Sequence, residues 1–231
     1  MRDGASVNGC ALRAVKALYP KMFEVECFSH TIDLIGSRFE VPTLDQFIQW
    51  WIQLFSNSAA AKLRWKERTR VAIKSYSVTR CWEVMNSVLT QFGDIEPFLE
   101  ENQDIAPRLA NHLRVLVEDQ DRRKLLIMEL AAVIDIGEPF VKATYIPEGD
   151  GLLVFSAYST LQALSTAAAQ RNYPNVAAQA HALAASAEGE AALQQHARAC
   201  VRPGIDYFLQ KFTLPFYEVV RAFKAARMHA Q

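Results

Sequence analysis

Two residues near the start of the chain, Cys27 and His30, are of types that bind metals or perform nucleophilic catalysis. A zinc ion needs about four ligands, and no Cys or His recurs at a second ligand spacing. A cysteine nucleophile needs a thiol of lowered pKa and a partner that orients the base, and the sequence identifies neither. We therefore expect a structural or positioning role for this pair.

A second group of candidate functional residues is basic and lies at positions 62–80. This segment contains seven cations and one acid, Glu67. Four of these cations recur at every fourth position, so one continuous helix would align them in a stripe: Lys62, Lys66, Arg70 and Lys74. Like charges at this spacing cost about 0.2–0.5 kcal/mol per pair, and a phosphate backbone would relieve that repulsion. The stripe predicts a DNA contact, and the alternative is a solvated helix face.

The other titratable residues give weaker signals. Residues 94–104 are acidic and are interpreted as a solvated turn, with a counter-patch for the basic segment as the alternative. The cysteines at positions 10, 27, 81 and 200 contain no CxxC pair, so we expect reduced thiols. Four histidines lie on expected helices without metal-ligand spacing, and we assign no chemistry to His112, His181, His196 and His229.

Composition limits the class of protein. The chain has 231 residues, 51% of them hydrophobic, which is enough for an ordinary buried core. Its 25 cations and 25 acids give a formal net charge of zero, whereas free-standing nucleic-acid binders are usually basic. The first twenty residues contain charges and no continuous apolar run, so we expect neither a signal peptide nor a membrane span, and an intracellular protein.

The elements that must position these residues are mostly helices. Thr43 and Gln46 form a possible capping box at the start of one helix. The core face of this helix follows helical spacing through Leu44, Phe47, Ile48, Trp51, Ile52 and Phe55. Neither Gly nor Pro interrupts residues 43–92, so the helix could continue into the basic segment, with a boundary near 75–78. Residues 22–28 alternate with period two and predict a strand, which needs pairing partners.

Several segments, in order along the chain, resemble the hAT superfamily of DNA transposases. The sequence DGASVN at residues 3–8 is followed by Tyr19-Pro20 and by CFSHTIDLI at residues 27–35. The later matching segments are residues 55–58, Thr79-Arg80 with Trp82, and residues 92–99, 136–144 and 152–164. The resemblance spans most of the chain and implies an RNase H-like core interrupted by a long helical insertion.

The same resemblance implies metal-dependent chemistry in the intact family, where Mg²⁺ is held by three acidic residues. Asp3 corresponds to the second acid, and the other two would lie outside this chain. One carboxylate cannot hold a metal pair, so we expect no catalysis by this chain alone and no cofactor. The alternative role for Asp3 is an Asx turn or a helix N-cap. Asn8, Cys27 and His30 would support the core structurally.

The family's Thr-Arg-aromatic motif is expected to contact DNA, which assigns this role to Arg80 and Trp82. Here Cys81 separates the two, so either the ring has moved by about 100° around a helix or a short deletion has replaced the original aromatic residue. Stacking on an exposed base would contribute about 1–3 kcal/mol. The alternative for Trp82 is an ordinary core aromatic.

We therefore expect a mostly α protein with an RNase H-like α/β remnant at residues 1–40 and a bundle-like helical insertion region at residues 41–231. The expected function is that of a transposase-derived fragment, truncated at both ends and catalytically incomplete, with residual DNA binding and, by family resemblance, a nuclear location. The alternative is a helical protein-interaction module without DNA affinity. Expected partners are DNA, an intact transposase or another protein, but neither a membrane nor a small-molecule substrate.

Overall fold

The computed structural model describes residues 6–21, 34–73, 81–145, 153–170, 173–213 and 225. These ranges are mostly helical and contain no β-strand, so the predicted mostly α class is confirmed. The strand predicted at 22–28 lies outside them, and the RNase H-like remnant stays a prediction. The helices described are α1 Ser6–Leu18, α2 Pro42–Ser56, α3 Ala59–Thr69, α4 Cys81–Thr90, α5 Phe92–Glu101, α6 Pro107–Glu118, α7 Gln120–Tyr145, α8 Leu153–Gln170, α9 Pro174–Leu183 and α10 Ala187–Thr213. None of them is both long enough and apolar enough to cross a bilayer.

The chain divides into two compact units, and each draws on separate stretches of sequence. The first unit is assembled from Met1–Phe39, Gly137–Asn172 and Arg202–Gln231. The second is assembled from Glu40–Ile136 and Tyr173–Val201. This division is discontinuous, whereas the domains expected from the sequence, 1–40 and 41–231, are contiguous. The basic segment belongs entirely to the second unit.

Helix α2 lies in the core of the second unit. Its buried residues are Leu44, Phe47, Ile48, Trp51, Leu54 and Phe55, which confirms the predicted apolar face except at Ile52, which is half-buried. The rings of Trp51, Phe55, Trp65 and Phe98 contact one another at centroid distances between 4.7 and 6.0 Å. Because Trp65 belongs to α3 and Phe98 to α5, this aromatic cluster packs α3 against both α2 and α5.

The N-terminus of α2 is capped from a distant part of the chain. Pro42 is in the first turn, and Val41, the N-cap residue, makes no side-chain capping bond. Instead, Glu129 Oε2 accepts a hydrogen bond from the N–H of Leu44 at 2.8 Å. The capping box predicted from Thr43 is therefore wrong, because the N-cap lies two residues earlier, at Val41, and a carboxylate of α7 accepts the free N–H of Leu44.

Helix α9 is capped in the same way by the same helix. It also begins with a proline, Pro174, and Tyr173 supplies no side-chain cap. Asp135 of α7 accepts hydrogen bonds from the backbone N–H groups of Asn175 and Val176 at 3.2 and 3.0 Å. Two acids of α7 therefore hold the N-termini of two helices that lack local caps.

The basic segment does not lie on one continuous helix. Helix α2 ends at Ser56, and α3 starts after Ser58, whose hydroxyl accepts a hydrogen bond from the N–H of Ala61 at 3.0 Å. Helix α3 then ends at Thr69, because Arg70 adopts a left-handed conformation with φ of 61°. A left-handed residue at this position closes a helix by bonding back to it. The expectation of a single helical stripe through Arg70 is therefore wrong.

In the first unit, Gly204 lets α10 approach residues 35–39 closely. A Cβ at this position would lie 2.6 Å from the carbonyl oxygen of Ile35 and would overlap the ring of Phe39. Nearby, the guanidinium of Arg38 lies 4.0 Å from the centroid of the Tyr207 ring. The contact between the two segments therefore depends on the absence of a side chain at position 204.

Candidate functional site

Helix α3 carries its cations in two rows that flank a buried stripe. The stripe consists of Ala61 and Trp65, which are 0% and 1% exposed. Successive residues of an α-helix are about 100° apart, so residues on either side of this stripe face different surroundings. The flanking cations are Arg64 and Arg68 on one side and Lys62 and Lys66 on the other.

The row of Arg64 and Arg68 is neutralised by acids of α5 and of the turn that follows it. Arg64 makes a bidentate pair with Asp104 at 2.9 and 3.1 Å, and this hydrogen bonding lowers the pKa of the Asp104 carboxyl. Arg68 donates to Glu101 at 2.6 Å and lies 3.4 Å from Asp94. These three acids form the counter-patch that the sequence offered as the alternative, while their side chains remain 45–64% exposed.

The second row has a different environment. Lys62, Lys66 and the adjacent cap residue Arg70 are exposed, and none of them forms an ion pair with any residue of the described ranges. Glu67 follows Lys66 directly, but its position is rotated by about 100° around the helix. We call Lys62, Lys66 and Arg70 the open basic face.

The remaining predicted DNA contacts are not described at the level of side chains. Lys74 and Arg80 lie outside the described residues. Trp82 belongs to α4, but its side chain is outside the described part, so its expected stacking role stays a prediction. The structure thus describes residues 62–73 of the basic segment, which contain five of its seven cations.

The predicted core residues lie mostly outside the described ranges. Asp3, Cys27 and His30 fall at positions 1–5 and 22–33, which the structure does not describe. Asn8 is in α1, where its backbone is helical and its side chain is outside the described part. The catalytic, metal-binding and structural roles expected for these four residues stay predictions.

A second cluster, absent from the sequence-based expectations, joins Glu129 of α7 to His196 and Cys200 of α10. His196 Nε2 lies 3.6 Å from Glu129 Oε1 and 3.5 Å from Cys200 Sγ. The ligand atoms of the three residues all lie within 4.8 Å of one another. Glu129 and Cys200 are buried, and the side chain of His196 is 35% exposed. We call these residues the Glu-His-Cys cluster.

Burial governs the protonation of this cluster. It raises the pKa of Glu129, although hydrogen bonds from Leu44 and Thr43 and the nearby His196 oppose this shift. Burial also raises the pKa of the Cys200 thiol to about 11, assisted by the negative charges of Glu129 and Glu40. The free thiol is therefore protonated at neutral pH and is a poor nucleophile.

Sequence reasoning missed this cluster for identifiable reasons. His196 and Cys200 are four positions apart, which places both on one face of a helix, and this signal was available. Glu129 interrupts the apolar run from Leu125 to Ile134, and a lone acid in such a run must find partners in the fold. The contact between α7 and α10, however, is a tertiary contact that neither sequence pattern predicts.

Comparison with known proteins identifies no relative of this chain. No protein-family model, curated protein or solved structure matches the chain. A functional assignment therefore depends on the residues and contacts of the chain itself.

Proposed function

We propose that this chain is a DNA-contacting helical domain of hAT-transposase descent. The observation that supports it is the unequal pairing of cations on α3. Acids of the neighbouring segment engage Arg64 and Arg68, whereas the open basic face is exposed and unpaired within the described residues.

The zero net charge of the chain, which is unusual for a nucleic-acid binder, is compatible with this local arrangement of cations. A formal charge of zero describes the whole chain, but a ligand at the surface responds to the charges near it. Asp104 and Glu101 pair with Arg64 and Arg68 on one side of α3, whereas the open basic face has no ion pair within the described residues. Lys62, Lys66 and Arg70 therefore present a concentrated positive surface that suits the phosphates of a DNA backbone.

The test is a salt titration of binding to a short branched DNA carrying a fluorophore, followed by anisotropy. Each phosphate contact on duplex DNA contributes about 0.9 to the slope of log K against log salt concentration. We expect the triple variant K62A/K66A/R70A to bind at least tenfold more weakly at low salt and to lower that slope by roughly 2–3.

The matched control removes the same charge elsewhere, in the triple variant R108A/R122A/R202A, whose three arginines are exposed and lie on other helices. This variant should keep the wild-type affinity and slope to within a factor of about two, because Arg122 and Arg202 already pair with Asp119 and Asp206 and the three arginines lie on three different helices. Equal losses in both variants would reduce the effect to net charge and contradict a specific face. Absence of wild-type binding even at low salt would exclude the DNA function.

A second candidate function, a helical protein-interaction module, is favoured by exposed apolar side chains on α1 and the residue after it. Val15, Leu18 and Tyr19 are 38%, 77% and 65% exposed. Neighbouring exposed apolar residues of this size mark partner sites more often than isolated ones do. Light scattering of the wild type and of L18E/Y19E across protein concentrations would detect association with a second copy. A wild type that is monomeric throughout would leave this candidate without support from self-association.

A further inference from the structure

The Glu-His-Cys cluster has an unsatisfied buried atom at its centre. Glu129 Oε2 accepts the N–H of Leu44, but Glu129 Oε1 is buried and has no hydrogen-bond partner. Its distance of 3.6 Å to His196 Nε2 is too long for a hydrogen bond. A buried carboxylate oxygen without a hydrogen bond is costly, and protonation of Glu129, an ion pair with His196 or a bound cation would each reduce that cost.

Two of the three separations in the cluster match those of a tetrahedral metal ion, and the third, between Glu129 Oε1 and Cys200 Sγ, is within 4.8 Å. Zinc bonds are about 2.3 Å to sulfur and about 2.0–2.1 Å to nitrogen or oxygen, so two ligand atoms of such a site lie about 3.3–3.6 Å apart. His196 Nε2 is 3.5 Å from Cys200 Sγ and 3.6 Å from Glu129 Oε1. Without an ion, the same distances correspond to a thiol–imidazole hydrogen bond and a His–Glu ion pair, which a cobalt titration distinguishes from a metal site.

The chemistry of the donors points to the same class of ion. Thiolate and imidazole are ligands of zinc and similar transition metals, whereas magnesium and calcium take oxygen ligands. A carboxylate and a thiolate together carry two negative charges, which a divalent cation balances in a buried place. His196 must present an unprotonated Nε2, with the proton on Nδ1.

The surroundings complete the expected site. The N–H of Leu44 holds Oε2 of Glu129 and thereby orients Oε1, which is the kind of outer contact that fixes metal ligands. The side chain of His196 is 35% exposed, so an ion from solvent can reach the cluster from that side. We propose that Glu129 Oε1, His196 Nε2 and Cys200 Sγ bind a zinc-like divalent cation. The site is independent of the open basic face and does not depend on the DNA proposal.

The experiment uses Co²⁺ as a spectroscopic probe for the full chain after chelator treatment under reducing conditions. Tetrahedral Co²⁺ bound to a thiolate has visible d–d bands and a near-ultraviolet sulfur-to-metal charge-transfer band. We expect both to appear and to saturate at one equivalent. We expect C200A to lose the charge-transfer band, and E129Q, which keeps an oxygen at the helix cap, to bind Co²⁺ at least tenfold more weakly.

The matched control is H181A. His181 Nδ1 lies 3.3 Å from Glu190 Oε2 in an exposed His-Glu pair without a thiol, so this variant should keep the wild-type spectrum. Circular dichroism would verify that C200A is folded, and C200S, which keeps the side-chain volume, replaces it if it is not. A wild type without the charge-transfer band, or a folded Cys200 variant that retains it, would overturn the proposal.

Discussion

The carboxylate of Glu129 accepts a hydrogen bond at 2.8 Å from the N–H of Leu44, a residue 85 positions away in the chain. The acceptor therefore belongs to a helix other than the one it caps. A few residues further along α7, Asp135 performs the same task for α9. Helix α7 thus supplies the caps of two other helices of the second unit.

Replacing Glu129 by alanine should destabilise the protein more than replacing it by glutamine. Alanine leaves the N–H of Leu44 buried without an acceptor, which costs about 1–3 kcal/mol, whereas the glutamine side chain keeps an oxygen in reach. Urea unfolding of the chelator-treated proteins at pH 5 measures the difference. Equal free energies of unfolding for E129A and E129Q would show that the hydrogen bond contributes nothing.

The stability of the metal-free protein should also depend on pH through Glu129. Burial raises its folded-state pKa above the ordinary value of 4.5. A raised pKa means that the contribution of Glu129 to stability is fully present below pH 4.5 and is lost as the pH rises through the folded-state pKa. The wild type should therefore lose stability relative to E129Q over that interval. Unfolding curves for both proteins between pH 4 and 8 provide the measurement. Parallel pH profiles of the two proteins would contradict the prediction.

Replacing Asp135 by alanine should reduce the free energy of unfolding by about 0.5–2 kcal/mol, the usual cost of losing an N-cap. The N–H groups of Asn175 and Val176 would lose their acceptor at the start of α9. Glu138 on the same helix is a suitable comparison, because it pairs with Lys142, which is 72% exposed. E138A should change stability by about 0.5 kcal/mol or less. Similar losses in D135A and E138A would argue against a capping role.

Two glycine substitutions should have opposite effects. A Cβ at position 204 would lie 2.6 Å from the backbone oxygen of Ile35, so G204A should cost about 1–3 kcal/mol by overpacking. Gly93 lies in helix α5 with open space around it, and alanine is the better helix former there by about 1 kcal/mol. Thermal unfolding should show a lower Tm for G204A and an unchanged or higher Tm for G93A. A G204A protein as stable as the wild type would contradict the close approach.

The sequence predicted those features that repeat at helical spacing. The buried face of α2 is one example, because Leu44, Phe47 and Trp51 carry a period that packing preserves. The cap of that helix was not predictable, because its acceptor comes from a residue that local rules do not reach. The break at Arg70 was missed for a related reason, since the chain ends this helix with a left-handed arginine in place of the expected Gly or Asn.

The same distinction between local patterns and tertiary contacts applies to the two candidate sites. The sequence predicted the cations of the open basic face. It did not predict that Arg64 and Arg68 differ from them, because the pairing of these two arginines with Asp104 and Glu101 is a tertiary contact. In the Glu-His-Cys cluster, a helical spacing joins His196 to Cys200, while Glu129 arrives by tertiary packing. Patterns within one helix can be predicted from the sequence, whereas contacts between helices cannot.

Caps supplied from a distance affect the order in which the second unit folds. The N–H groups in the first turns of α2 and α9 find their acceptors only after contacts between residues 85 and 40 positions apart have formed. The first turn of each helix is therefore uncapped until α7 has packed against it. Their opening should then be tied to the opening of α7. In native-state hydrogen exchange, the amides of Leu44 and Val176 should be released in one common event with those of central α7, as a single cooperative unit.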